Sequence, residues 1–187
     1  MLTTYTLDRR DRIIEVSPGW DDFALDNDGE GACADHVVGT RLVDAIAGDP
    51  VRMYMTAILM RVRTSGQAEA IPYRCDSETT KRRYIMTLEP LAEGRVRVIH
   101  QLDSEESTDL IIRVRPARVG ERAPLRCSIC CRIREGGIWI DPFAQGRNRN
   151  LRIIHSICED CKQVPLMAYR RRRQEPDQGH AQDPVVS

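Results

Sequence analysis

No apolar run in this 187-residue chain approaches the roughly 20 residues that a membrane-spanning helix needs. The first residues, MLTTYTLDRRDR, are polar and charged where a secretory leader would carry an apolar stretch. Together these absences predict a cytoplasmic protein with no membrane contact. An excess of one charge is missing too, since 28 basic side chains balance 28 acidic ones. Nor is there an even set of cysteines. Seven of them, with no leader, argue for a reducing compartment and against a disulfide framework.

The usual signatures of catalysis are also lacking. There are no paired carboxylates, no Ser-His-Asp arrangement and no glycine loop of the kind that cradles phosphate. No His-x-Glu stands beside the cysteines, as a zinc deaminase would require. A thioredoxin-like enzyme uses one Cys-x-x-Cys after a strand in a βαβ setting, whereas this chain has two such pairs without that setting. The expectation is a protein that is not an enzyme.

What the chain does have is a concentration of thiols. Five of the seven cysteines fall between positions 127 and 161, and four of them form the pairs Cys127/Cys130 and Cys158/Cys161. Two thiolate pairs on two short turns supply the four soft donors of a closed, tetrahedral structural zinc site. The 27 residues between Cys130 and Cys158 exceed the usual ribbon spacing. Lengthening a loop by half costs only about 0.4 kcal/mol of closure entropy, so the spacing is no objection. The predicted metal ligands are therefore Cys127, Cys130, Cys158 and Cys161, with zinc as a structural ion. An iron–sulfur cluster is the alternative metal centre, and a redox pair or bystander thiols are the non-metal readings. Cys131 places a fifth thiol beside the site. His155, three residues before Cys158, is a candidate replacement ligand or a hydrogen-bond donor to a ligand sulfur.

Charge is unevenly spread. Residues 1–102 carry 13 basic and 16 acidic side chains, whereas residues 125–174 carry 11 basic and 4 acidic. Arg147, Arg149, Arg152 and the run Arg170 to Arg173 make nucleic-acid binding an alternative, although such runs are most often solvated faces.

The clearest helix covers residues 50–64. Val51, Tyr54, Met55, Ile58, Leu59 and Val62 form one apolar face at a 3.6-residue period. Asp49 stands at the N-cap position, Pro50 at the first helical position and Gly66 just past the end. Ahead of it, YTLD and RIIEVS read as two short strands around a polar turn, followed by a short helical stretch carrying Trp20, Phe23 and Leu25. After it come three strand-like runs, AIPYRCD, RRYIMTLEP and RVRVIHQLD. In the last run Val96, Val98, His100 and Leu102 share one face. On this alternation His100 reads as a satisfied core histidine, and Cys75 as a buried thiol. His36 reads as a surface residue. The predicted class is α+β: a five-stranded antiparallel sheet with helices on one face, plus a small C-terminal zinc-ribbon-like module.

This order, with DRIIEVSPGWDDFALDN, VVGTRLVDAIAGD and IPYRCDSETTKRRYIMTLEPL, resembles a PAS domain over about residues 4–102. The resemblance implies dimerisation and a small-ligand pocket. The long helix has no histidine of the haem-binding kind, and no Asn-Cys-Arg-Phe-Leu flavin motif occurs, so the pocket ligand is unidentified. The segment from Leu125 to Cys161 resembles a short zinc-ribbon-like tail found after sensory domains in bacterial signalling proteins. Cys127, Cys130, Ile133, Arg134, Gly137, Trp139, His155, Ile157, Cys158 and Cys161 keep that pattern, while Cys131 and Glu159 depart from it. The organisation expected is a PAS-like domain over 1–102, a linker over 103–124, a zinc-binding module over 125–170 and a disordered tail over 171–187. The function implied is a cytoplasmic sensory or adaptor homodimer that contacts a protein partner through the zinc module. A nucleic-acid-binding regulator and a thiol redox sensor are the alternatives.

Overall fold

The computed structural model describes residues 2–26 and 29–163. The expected tail over 171–187, the end of the zinc-binding module and Arg170 to Arg173 lie outside the described residues. The described chain is α+β, with two five-stranded sheets.

The first sheet is antiparallel. It is built from β1 (Leu2–Leu7), β2 (Ile13–Val16), β3 (Glu69–Arg74), β4 (Thr80–Pro90) and β5 (Val96–Ser107), in the order β2-β1-β5-β4-β3. Its buried face follows from alternation along each strand. Leu7 pairs with Val96, Tyr5 and Leu88 both face Val98, and Ile71 faces Met86. Between β2 and β3 lie α1 (Trp20–Leu25), α2 (Ala34–Val37) and the long α3 (Asp49–Ser65). Helix α3 lays Val51, Met55, Ile58, Leu59 and Val62 on that face, and Leu59, Val62, Leu7, Leu88, Val96 and Val98 are at most 1% exposed.

Gly66 ends α3 in the left-handed conformation expected of it, its N–H bonding Val62 O at 3.0 Å. The start differs from expectation by one residue. Gly48 is the N-cap and accepts from Val51 N and Arg52 N, so Asp49 lies inside the first turn and pairs with Arg52 rather than capping. Gly48 has a second reason to be glycine. Its φ is 88°, and a Cβ there would meet His155 Cβ and O at 2.8 Å.

The second sheet comprises β6 (Ile112–Pro116), β7 (Leu125–Cys127), β8 (Ile133–Glu135), β9 (Ile138–Ile140) and β10 (Arg149–Ser156), ordered β6-β10-β7-β8-β9. Strand β10 pairs parallel with β6 and β7, and β8 turns to β9 through Gly136-Gly137, both at positive φ. Helix α4 (Glu159–Gln163) follows. The stretch expected as a connector carries strand over 103–107 and 112–116 and is irregular elsewhere. β5 runs on to Ser107 against Thr80, and Ile112, 3% exposed, packs inside the second sheet. Cys75 also departs from expectation. β3 ends at Arg74, so the alternation stops one residue short and Cys75 is exposed.

His100 sits where the apolar face becomes aromatic. Its ring stacks on Tyr5 with centroids 5.7 Å apart, and its Nδ1 lies 2.8 Å from Tyr73 Oη. Burial lowers its pKa from 6.5 to about 4. The unfolded chain therefore takes up the proton first, so this contribution to stability is complete above pH 6.5 and is lost as pH falls toward 4. Denaturant unfolding across that window is expected to lose about 1–3 kcal/mol. His100→Gln should flatten the dependence.

Candidate metal centre

Parallel pairing of β7 with β10 closes the 27-residue gap. Leu125 pairs with Ile154, Arg126 with His155 and Cys127 with Ser156, so both Cys-x-x-Cys segments leave the sheet side by side. The first turns back at once: Cys131 N bonds Cys127 O at 3.0 Å and Cys127 N bonds Arg132 O at 2.8 Å. Cys131 takes the left-handed conformation, φ 61°, that closes this turn. The second segment enters α4, which carries Cys161.

The four sulfurs of Cys127, Cys130, Cys158 and Cys161 all lie within 4.8 Å of one another. Cys130 Sγ and Cys158 Sγ are 3.8 Å apart. Zinc–sulfur bonds of about 2.3 Å in a tetrahedron place sulfurs about 3.8 Å apart, so the donor set fits such an ion. Cys127, Cys158 and Cys161 are buried and Cys130 half-buried. Thiolates this close repel one another unless a cation sits among them. Cys130 is held far below the usual thiol range by hydrogen bonds from Cys127 and Cys161, joined by Arg132, while hydrogen bonds to Cys127 and Cys130 push Cys161 up. The surroundings supply donors to sulfur. Cys158 N–H points at Cys127 Sγ at 3.4 Å, and Arg132 Nε donates to Cys130 Sγ at 3.3 Å. Arg132 is itself held by Asp160 at 2.8 Å.

Neither of the other candidates joins the four. Cys131 is buried and turned the opposite way, its thiol donating to Arg74 O at 3.3 Å, and burial pushes its pKa up to about 12. His155, on β10, has its Nδ1 3.2 Å from the Oγ of Ser128, just past β7.

Other groups tie this centre to the first sheet, and sequence spacing carried no signal for them. Tyr54, on α3, donates from Oη to Cys161 O at 3.3 Å. Arg74, at the end of β3, forks onto Asp76 and reaches Asp141 Oδ2 at 2.7 Å. Burial alone would raise the Asp141 pKa, but the Arg74 hydrogen bond, the Phe143 amide and the charges of Arg74 and Lys81 together hold the carboxyl below its usual range. Cys127, Ile129, Ile157, Cys158 and Cys161 belong to the same buried cluster as Leu59 and Val98.

Of the arginines offered for nucleic-acid contact, Arg149 pairs with Glu135, Arg152 bonds Pro116 O and pairs with Glu121, and Arg147 is exposed. No helix among the described residues is long and apolar enough to cross a membrane.

Among solved structures, the chain is similar to a domain of an HTR-like protein from Haloarcula marismortui ATCC 43049. Identity is 15% and the TM-score 0.42, over 55% of this chain and 98% of that one. No family model matches the chain, and no curated protein does.

The purified chain is expected to carry one zinc per molecule, read by elemental analysis beside protein concentration. Cys158→Ser should lose it and unfold residues 125–163, seen as lost amide protection there. Full metal retention in that variant would remove Cys158 from the ligand set.

Proposed function

We propose that this chain is a sensory or adaptor protein in which a PAS-like sheet and helix are coupled to a structural zinc module that contacts a partner protein. One observation carries the reading: the four-cysteine cluster does not hang from a tether but shares a core with α3 and bonds it through Tyr54. A change in the first sheet is therefore felt at the metal centre, and the reverse. The PAS-like assignment rests on the element order of two strands, short helices, one long helix and three strands, with β1 lying between β2 and β5.

Four protein thiolates fill a tetrahedral ion and leave no position for substrate, which favours a structural role over a catalytic one. The metal reading accounts for the convergence of all four sulfurs, whereas a redox pair needs only two. The nucleic-acid reading is weaker because Arg149 and Arg152 are engaged within the chain.

Hydrogen exchange on zinc-loaded and chelator-treated protein tests the coupling. Removing the ion is expected to raise exchange in residues 49–65 as well as in 125–163. A rise confined to 125–163 would end the relay reading.

Dimerisation through the outer surface of the first unit belongs to the same proposal, supported by Met53 at 73% and Met60 at 64% exposed on the outer side of α3. Ile111 is half-buried and bonded through its backbone to Asn148 and Arg149 of its own chain, so Ile111→Asp is expected to leave the dimer intact. Light scattering at micromolar concentration checks this, and a monomer from the unaltered chain would refute it.

A further inference from the structure

A cleft of about 530 Å³ lies between the β3–β4 turn of the first sheet and one face of the second. Its location follows from strand alternation. Ile112 and Val114 point the same way from β6, as do Ile153 and His155 from β10, and Arg126 sits opposite His155 on β7. Phe143, Arg82, Cys75 and Ser77 also line it.

Arg126 is the anomaly in this cleft. Its Nε is buried with no hydrogen-bond partner among the described residues, and no ion pair there takes up its charge. A buried guanidinium nitrogen without an acceptor is costly, and native structures rarely retain one without a reason. The acidic side chains of the lining do not answer it: Asp76 is gripped by Arg74, Glu78 pairs with Arg113, and Asp26 is exposed.

We infer that this cleft binds a small organic carboxylate, with the carboxylate on Arg126 and an apolar body against Ile112, Ile153 and Phe143. The size lies within the range of small-molecule sites, which set apolar side chains beside a few placed polar groups, and Ile112, Ile153 and Phe143 stand here beside Arg126, Arg82 and His155. The planar fork of an arginine matches a carboxylate. Arg82, the other arginine of the lining, pairs with Glu105, so the charge left to Arg126 beside Asp76 and Glu78 favours a single negative charge over a multiply charged phosphate. The site is separate from the metal centre and does not depend on the sensory reading. Because both sheets line it, an occupant would touch both.

The probe is benzoate, titrated into the zinc-loaded full chain and followed by the Arg126 Nε–H resonance and the β10 amides. Saturable binding is expected, with benzamide, its neutral counterpart, about tenfold weaker or worse. Arg126→Gln should weaken benzoate to the same degree, and Val114→Phe, which fills the cleft and keeps the arginine, should abolish binding. Zinc content measured on each variant reports folding separately. Should Arg126→Gln lose its zinc, Val114→Phe decides alone. The inference is overturned if benzoate gives no saturable shift up to about 10 mM. It is equally overturned if benzamide or inorganic phosphate binds as well as benzoate, or if Val114→Phe binds it unchanged.

Discussion

Mutual repulsion among four converging thiolates is the constraint on which the rest of this structure depends. β7 is three residues long, and β8 and β9 are no longer. Strands so short bury little apolar surface, and a sheet made of them needs another source of stability. The sulfur cluster supplies it at the point where β7 and β10 end together. A dication there would turn repulsion into four bonds and fix the register of the parallel pair from one end. Arg132 and the Cys158 amide then spread the residual negative charge.

From that pin the contact with the first sheet follows. Gly48 lets the backbone at the start of α3 approach His155 on β10 as no side chain would permit. Tyr54 bonds the carbonyl of Cys161, and Arg74 bridges from β3 to Asp141 at the start of the 3₁₀ turn Pro142–Gln145. The arginine has carboxylates from both units, so the charge is matched where it is shielded from water. Two of these contacts come from α3 and its N-cap and the third from the end of β3, and His155, which meets Gly48, also lines the Arg126 cleft.

Legibility in the sequence followed the range of the interaction. α3 was readable because its stripe and C-terminal glycine are local, and Asp49 missed the cap by one position because Gly48 was needed for close packing. The four cysteines were readable because ligand spacing is local chemistry. The far half of β5 was not. Asp103, Glu105 and Glu106 show no apolar alternation, and the strand persists there because Lys81 and Arg82 on β4 face Glu106 and Glu105. The parallel pairing of β6 with β10 joins segments some 37 residues apart and leaves no local mark. Arg132, Tyr54 and Arg126 act through tertiary neighbours, which spacing does not reveal.

X-ray absorption at the zinc edge of the purified chain tests the central claim most directly. Four sulfur scatterers at about 2.3 Å, with no nitrogen or oxygen in the shell, are the result expected of this centre. A nitrogen in the shell would bring His155 into the ligand set. An iron edge with visible absorbance in place of zinc would contradict the account.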